Sequence, residues 1–362
     1  MAPDRRPNTH PNATSASSGA AQAESLQQLL SELVQTARDV LATGGDLHGH
    51  RAFFGPLGGG GGGRLASVVP PGVATHVASG GWHEPRPATS GGVAAARAAR
   101  AHSALRTHVE AEAREQSTEA FARYMNSLYD CILSLVDSSD PAAKLAGVIA
   151  IDQLIDVRLG EGVTKMSKFA NYLRDALQPG CEPALAQAAS AALGRLVREG
   201  GALTADVVEA EVKRALEWIR GERSESKRYA ASLVLKELAA NAPTVFNVHV
   251  PAFIEAVWAP LRDPRLQVRE AAVEALSECL CVIEQRETRY RMQWYYDMYN
   301  ETKRGFGAKG VEHVHGSLLA IGELLRHTGE FMLARYKDVA DTVLRHRDHR
   351  DRLGRRGGPR GG

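Results

Sequence analysis

Five ten-residue segments share one pattern, small residues first and apolar ones after: AGVIAIDQLI from Ala146, AASAALGRLV from Ala188, AASLVLKELA from Ala230, AAVEALSECL from Ala271 and GSLLAIGELL from Gly316. Their starts are 42, 42, 41 and 45 residues apart. In each, apolar residues fall five and eight places after the start, at Ile151/Leu154, Leu193/Leu196, Leu235/Leu238, Leu276/Cys279 and Ile321/Leu324. A unit with so narrow an apolar face cannot bury it alone, so the copies must stack. The small residues at Gly147, Ala189, Ala231 and Ala272 let neighbouring helices approach with no side chain between them.

The stretches between these segments carry apolar stripes at helical spacing. Phe121, Met125, Leu128, Ile132 and Leu135 form one, Met166, Ala170, Leu173 and Leu177 a second, and Val208, Val212, Ala215 and Ile219 a third. Asp140-Pro141 and Asp263-Pro264 read as an N-cap followed by proline at the first helical position, and Glu182-Pro183 as a weaker version. The predicted helix pairs are 118–137 with 141–157, 163–177 with 183–199, 204–220 with 224–240, 245–262 with 264–284, and 287–304 with 310–327. A last helix, 331–347, follows without a partner. Two-helix repeats of about 40 to 47 residues are the pattern of HEAT and armadillo arrays. The fold class is therefore all-α, an α-α superhelix of about five helix pairs plus the unpaired last helix. On that helix Met332, Tyr336, Val339 and Val343 form one apolar face, expected to fray, self-associate or recruit a partner.

Before residue 117 the composition differs. It holds the Gly58 to Gly63 run and Pro70-Pro71, and the first lysine of the chain is Lys144. Residues 1–23 and the Gly/Pro-rich insertion 42–93 are expected to be disordered, because they bury too little apolar surface to offset chain entropy. An isolated helix is predicted at 24–41, from Leu26, Leu29, Leu30, Leu33, Val34 and Val40, and another at 94–116. The solenoid is expected to span 117–347, and 348–362 to form a basic disordered tail.

A net charge of +2 does not make the whole molecule a nucleic-acid or membrane binder. No run approaches the roughly 18 to 20 apolar residues of a bilayer span, and the first residues lack the apolar core of a secretory signal. A cytoplasmic chain is expected, with endomembranes or the nucleus as further locations, and no secretion. Cys131, Cys181, Cys279 and Cys281 match no zinc or redox spacing and read as reduced thiols.

Several stretches imitate chemistry. His346-Arg347-Asp348 matches the start of a kinase catalytic loop, but Leu353 stands where a magnesium-binding Asn is needed. Gly58, Gly60 and Gly63 satisfy a phosphate-loop spacing trivially, as six consecutive glycines must, and read as a linker. His313 and His315 lie two residues apart on a predicted helix and point in divergent directions, which disfavours a shared metal ion. No catalytic, cofactor or metal site is predicted. Tyr290, Trp294, Tyr295, Tyr296 and Tyr299 include the i,i+4 pairs Tyr290/Trp294 and Tyr295/Tyr299. This group is either core packing or a partner-binding patch, and the sequence does not separate the two. From Arg335 to Arg360 nine Lys/Arg face four Asp, a solvated helix end or a patch for phosphates and anionic lipid.

FANYLRDAL (169–177), AEVKRALEWI (210–219), KRYAASLVLKELA (227–239), QWYYDMYNETKRGFG (293–307) and HGSLLAIGELLRHTGEFMLARY (315–336) closely resemble the N-terminal HEAT region of the TOR protein kinases, the targets of rapamycin, in the PI3K-related kinase family. The resemblance runs from about 117 to 353 and implies the amino-terminal solenoid of a large serine/threonine kinase. It implies as partners the scaffold subunits of TOR complexes, such as a Raptor-like protein, and a second TOR copy. The implied role is in nutrient-responsive growth signalling, with phosphotransfer and ATP belonging to the kinase segment. Residues 42–93 interrupt what in the family is a short connection, and GRRGGPRGG after Leu353 replaces the next helix, as in a truncated or misassembled gene product. The expected function is a protein-protein interaction scaffold without phosphotransfer of its own. The alternatives are an independent armadillo-type adaptor or transport receptor, and a basic lipid or nucleic-acid tether acting through the tail.

Overall fold

The computed structural model describes residues 13–42, 91–157, 162–221, 223–286 and 289–346, and every regular element among them is helical. Two helices come first, α1 (Ala13–Ala42) and α2 (Gly91–Glu115). They are followed by α3 (Thr118–Val136) with α4 (Pro141–Leu154), α5 (Gly162–Ala176) with α6 (Pro183–Gly200), and α7 (Ala205–Gly221) with α8 (Glu225–Asn241). The next pair opens with three short helices, α9 (Pro243–Phe246), α10 (Val250–Ala256) and α11 (Trp258–Leu261), and closes with α12 (Leu266–Glu284). Then come α13 (Arg291–Phe306) with α14 (Val311–His327), α15 (Glu330–Leu333) and α16 (Tyr336–His346).

The trailing helix of each pair packs on its neighbours in the row: α4 on α6, α6 on α8, α8 on α12, α12 on α14. All ten apolar positions of the repeated segments, from Ile151 and Leu154 to Ile321 and Leu324, are buried. Close approach depends on the small residues. A Cβ on Gly147 would stand 2.8 Å from Val136 Cγ2 of α3, and one on Gly316 would collide with the Leu261 carbonyl of α11.

The structure differs from the expected boundaries in four places. The first helix is not isolated, since α1 packs on α4 and α2, buries Leu26, Leu30, Leu33 and Val40, and pairs Arg38 with Asp140 at 3.1 Å. It also begins at Ala13, inside the stretch expected to be disordered, where alanine is frequent and favours helix. The single helix expected over 245–262 is broken, because Pro251 and Pro260 cannot donate to a helical ladder. Asp263 does not place Pro264 at the first helical position. Its side chain accepts from the Arg265 amide at 2.9 Å and from Arg228 Nε of α8 at 2.5 Å, and α12 starts at Leu266. The last helix turns at Ala334 and Arg335, which buries Met332 and Val339 against the preceding pair and leaves Tyr336 exposed. The remaining stretches expected to be disordered, 1–12, 43–90 and 348–362, lie outside the described residues.

Polar side chains bind successive repeats at close to the repeat interval. Arg195 Nη1 donates to Asp152 at 2.6 Å, Gln187 to Tyr229 at 2.8 Å, Arg198 to Asn241 at 3.3 Å and Arg269 Nε to His315 at 3.0 Å. Lys165 closes the end of α4, its ammonium donating to the carbonyls of Leu154, Ile155 and Val157 at 3.1, 2.8 and 2.6 Å. These carbonyls are orphan acceptors of a helix C-terminus, which a buried helix end must satisfy.

Gly316→Ala should cost about 1 to 3 kcal/mol in urea unfolding, because backbone carbonyl meets the new methyl. Gly322→Ala, where nothing lies within 4 Å of a Cβ, should gain about 0.5 to 1 kcal/mol from helix propensity. Burial raises the Asp152 carboxyl to about 6, against the opposing pull of Arg195. A folded-state pKa above the unfolded one gives stability that is full below the ordinary carboxylate range and lost as pH rises through 6. From pH 4 to 7 the parent should therefore lose on the order of 2 to 3 kcal/mol relative to Asp152→Asn, read from paired urea titrations.

Candidate interaction surface

The aromatic group of α13 divides between two faces of one helix. Tyr295, 4% exposed, and Tyr299 point into the protein and meet Phe331 of α15 at centroid distances of 5.5 and 6.3 Å. Tyr296, 43% exposed, meets the same ring edge-on at 5.0 Å. Phe331 is thus the socket for three tyrosines. Arg335 covers it, its guanidinium 3.9 Å from the Phe331 centroid and 4.6 Å from that of Tyr296, a cation–π arrangement. Tyr299 Oη donates to Asp338 Oδ2 at 2.6 Å and Lys303 Nζ to the same oxygen at 2.8 Å. Hydrogen bonds from Lys303 and Tyr299 hold the Asp338 carboxyl below its ordinary range.

Tyr290 and Trp294 stack at 6.2 Å with 27° between their planes, Tyr290 exposed and Trp294 half-buried. Arg289 lies over Tyr290 at 4.7 Å and donates to its hydroxyl at 2.6 Å. Of the two i,i+4 pairs read in the sequence as either packing or a partner patch, Tyr295 and Tyr299 are core, and Tyr290 and Trp294 reach the surface. Among the described residues the other large exposed apolar side chains of α13 to α16 are Met292, Tyr296, Leu325, Leu333 (74% exposed), Tyr336 (62% exposed) and Leu344. Met292 and Tyr296 form an i,i+4 pair that the spacing already held, but spacing alone does not say which side of a helix meets solvent.

The remaining chemical candidates resolve into structural contacts. His315 accepts from Arg269, and burial lowers its pKa, while His313 lies 3.6 Å from Glu312. Ser277 Oγ is 3.0 Å from His327 Nε2, and Glu284 is 3.4 Å from Nδ1, a serine-histidine-carboxylate order. His327 Nε2 also lies 3.5 Å from Glu323 of its own helix, and the group acts as a clasp between α12 and α14. Burial raises the Cys279 thiol. Among the described residues no three His, Cys, Asp or Glu side chains are grouped to hold a metal ion, and no helix is long and apolar enough to cross a membrane. Asp348 and the Gly58–Gly63 run lie outside the described residues.

No family model matches the chain. The chain is 56% identical over 254 residues to the serine/threonine-protein kinase TOR of Oryza sativa subsp. japonica, covering 70% of this chain. It is 53% identical over 251 residues to the protein of that name from Arabidopsis thaliana, covering 69%. Identity to the serine/threonine-protein kinase tor1 of Schizosaccharomyces pombe is 38% over 252 residues, covering 70%. The chain spans about a tenth of the length of these curated relatives.

Phe331→Ala should cost about 3 to 5 kcal/mol locally, and hydrogen exchange should accelerate in α13 to α16 while α6 and α8 remain protected. Tyr336→Ala should leave both regions unchanged.

Proposed function

We propose that this chain, which belongs with the TOR serine/threonine-protein kinases over the 254 residues it shares with them, is an interaction scaffold of the HEAT type. The observation that carries the reading is the row of stacked trailing helices from α4 to α14, on a sequence 56% identical to a TOR kinase. Such arrays bind other proteins over extended surfaces through many moderate contacts. The proposed partners are a Raptor-like subunit of TOR complexes and a second TOR copy. The proposed setting is nutrient-responsive growth signalling in the cytoplasm, with endomembranes and the nucleus as further sites. Phosphotransfer is assigned to other segments of the full-length kinases. The exposed part of the α13 group, Tyr290 with Trp294, is the proposed contact region together with Met292 and Tyr296, since aromatic residues and methionine are enriched in protein interfaces and Trp and Tyr among the residues that anchor them.

Sedimentation of the purified chain with a purified Raptor-like subunit tests this. A stable complex, weakened by Met292→Ala combined with Tyr296→Ala at unchanged helicity, is the expected result. Independent sedimentation at micromolar concentrations would remove the Raptor-like assignment.

A further inference from the structure

At one edge of the array the turn joining α3 to α4 faces the turn joining α5 to α6, and between them lies a cavity of ≈ 240 Å³. Ser139, Lys144, Gln178, Cys181 and Glu182 are among its walls. We propose that this cavity takes an oxyanion, the carboxylate or phosphate of a partner polypeptide's side chain, with the Lys144 ammonium as counter-charge.

Cations on the neighbouring trailing helices are engaged: Arg195 by Asp152, Arg228 by Asp263, Lys236 by Glu274. Lys144, half-buried on the first turn of α4, reaches no carboxylate and no hydrogen-bond acceptor among the described residues. An ammonium partly withdrawn from water without a counter-ion gains from an anion that enters. The space is smaller than the roughly 300 to 1,000 Å³ of pockets that enclose whole small molecules. It suits the end of one side chain. The Ser139 hydroxyl and the Gln178 amide supply neutral donors, whereas the Gly180 amide is already bonded to Ser226 Oγ at 2.9 Å.

Glu182 opposes the anion. It stands at the N-cap of α6, where its side chain makes no capping hydrogen bond, so its carboxylate is free to face the cavity and limits affinity. Cys181 supplies a reporter in the same wall: burial raises its thiol pKa, and Lys144 pulls in the opposite direction. An anion seated on Lys144 both shields the sulfur and cancels that pull, so alkylation slows.

The inference uses the scaffold reading only to name a polypeptide as the source of the anion; small mimics test the cavity without it. The intact chain is alkylated with iodoacetamide in inorganic phosphate, N-acetylphosphoserine amide or N-acetylaspartate amide, against chloride at matched ionic strength, and each cysteine is followed by mass spectrometry. Cys181 should slow roughly threefold when a side-chain mimic stands at about twice its dissociation constant, with Cys131 unchanged. Protection should vanish in Lys144→Gln and appear at lower concentration in Glu182→Gln, with circular dichroism confirming retained helix in both. Protection that survives Lys144→Gln, or equal rates in chloride and all three probes, overturns the site. Protection by inorganic phosphate alone overturns the side-chain assignment.

Discussion

The distance at which one trailing helix can lie against its neighbours sets the rest of this structure. At Gly147 and Gly316 no side chain separates the helix from the one beside it, and at Ala189, Ala231 and Ala272 only a buried methyl does. Interhelical separation follows from the side chains at the contact, so these positions bring the ridges close enough for Leu154, Leu196, Leu238 and Leu324 to be fully covered. The cross-repeat hydrogen bonds depend on the same spacing. An arginine such as Arg195 reaches Asp152 only because α6 lies tight against α4.

The repeated segments were readable because burial on one face of a helix leaves a period, and all ten of their apolar positions are inside. The cap at Asp140 was readable too, being a contact within three residues: its Oδ1 accepts from the Ala142 amide at 3.0 Å. Asp263 has the same local sequence and the same local contact, its Oδ1 accepting from the Arg265 amide, and each of the two carboxylates also takes an arginine from another helix, Arg38 on Asp140 and Arg228 on Asp263. Local spacing carries no information about such a partner. The same holds for Phe331, whose role comes from three tyrosines a repeat earlier, and for the turn at Arg335 that divides the last helix. In the aromatic group, spacing separated Tyr290/Trp294 from Tyr295/Tyr299 without indicating which pair the core would take.

Repeats joined this way interact chiefly with their neighbours, and the polar contacts sharpen that rule. Asp152 with Arg195, Gln187 with Tyr229, and Arg269 with His315 each join adjacent trailing helices, and none reaches further along the row. A side chain that must meet a polar partner at fixed geometry forbids the sliding that apolar surfaces tolerate. The apolar seam brings the helices together, and the hydrogen bonds fix their register.

The ammonium of Lys165 illustrates a limit on how such a sequence can drift. Three carbonyls, those of Leu154, Ile155 and Val157, converge on it. A tetrahedral –NH₃⁺ can aim three donors into that small space, whereas the planar fork of an arginine cannot, and methionine offers no donor. A substitution table would treat the position as an interchangeable cation, yet arginine or methionine there leaves carbonyls at the end of α4 without the donors that a buried helix terminus requires.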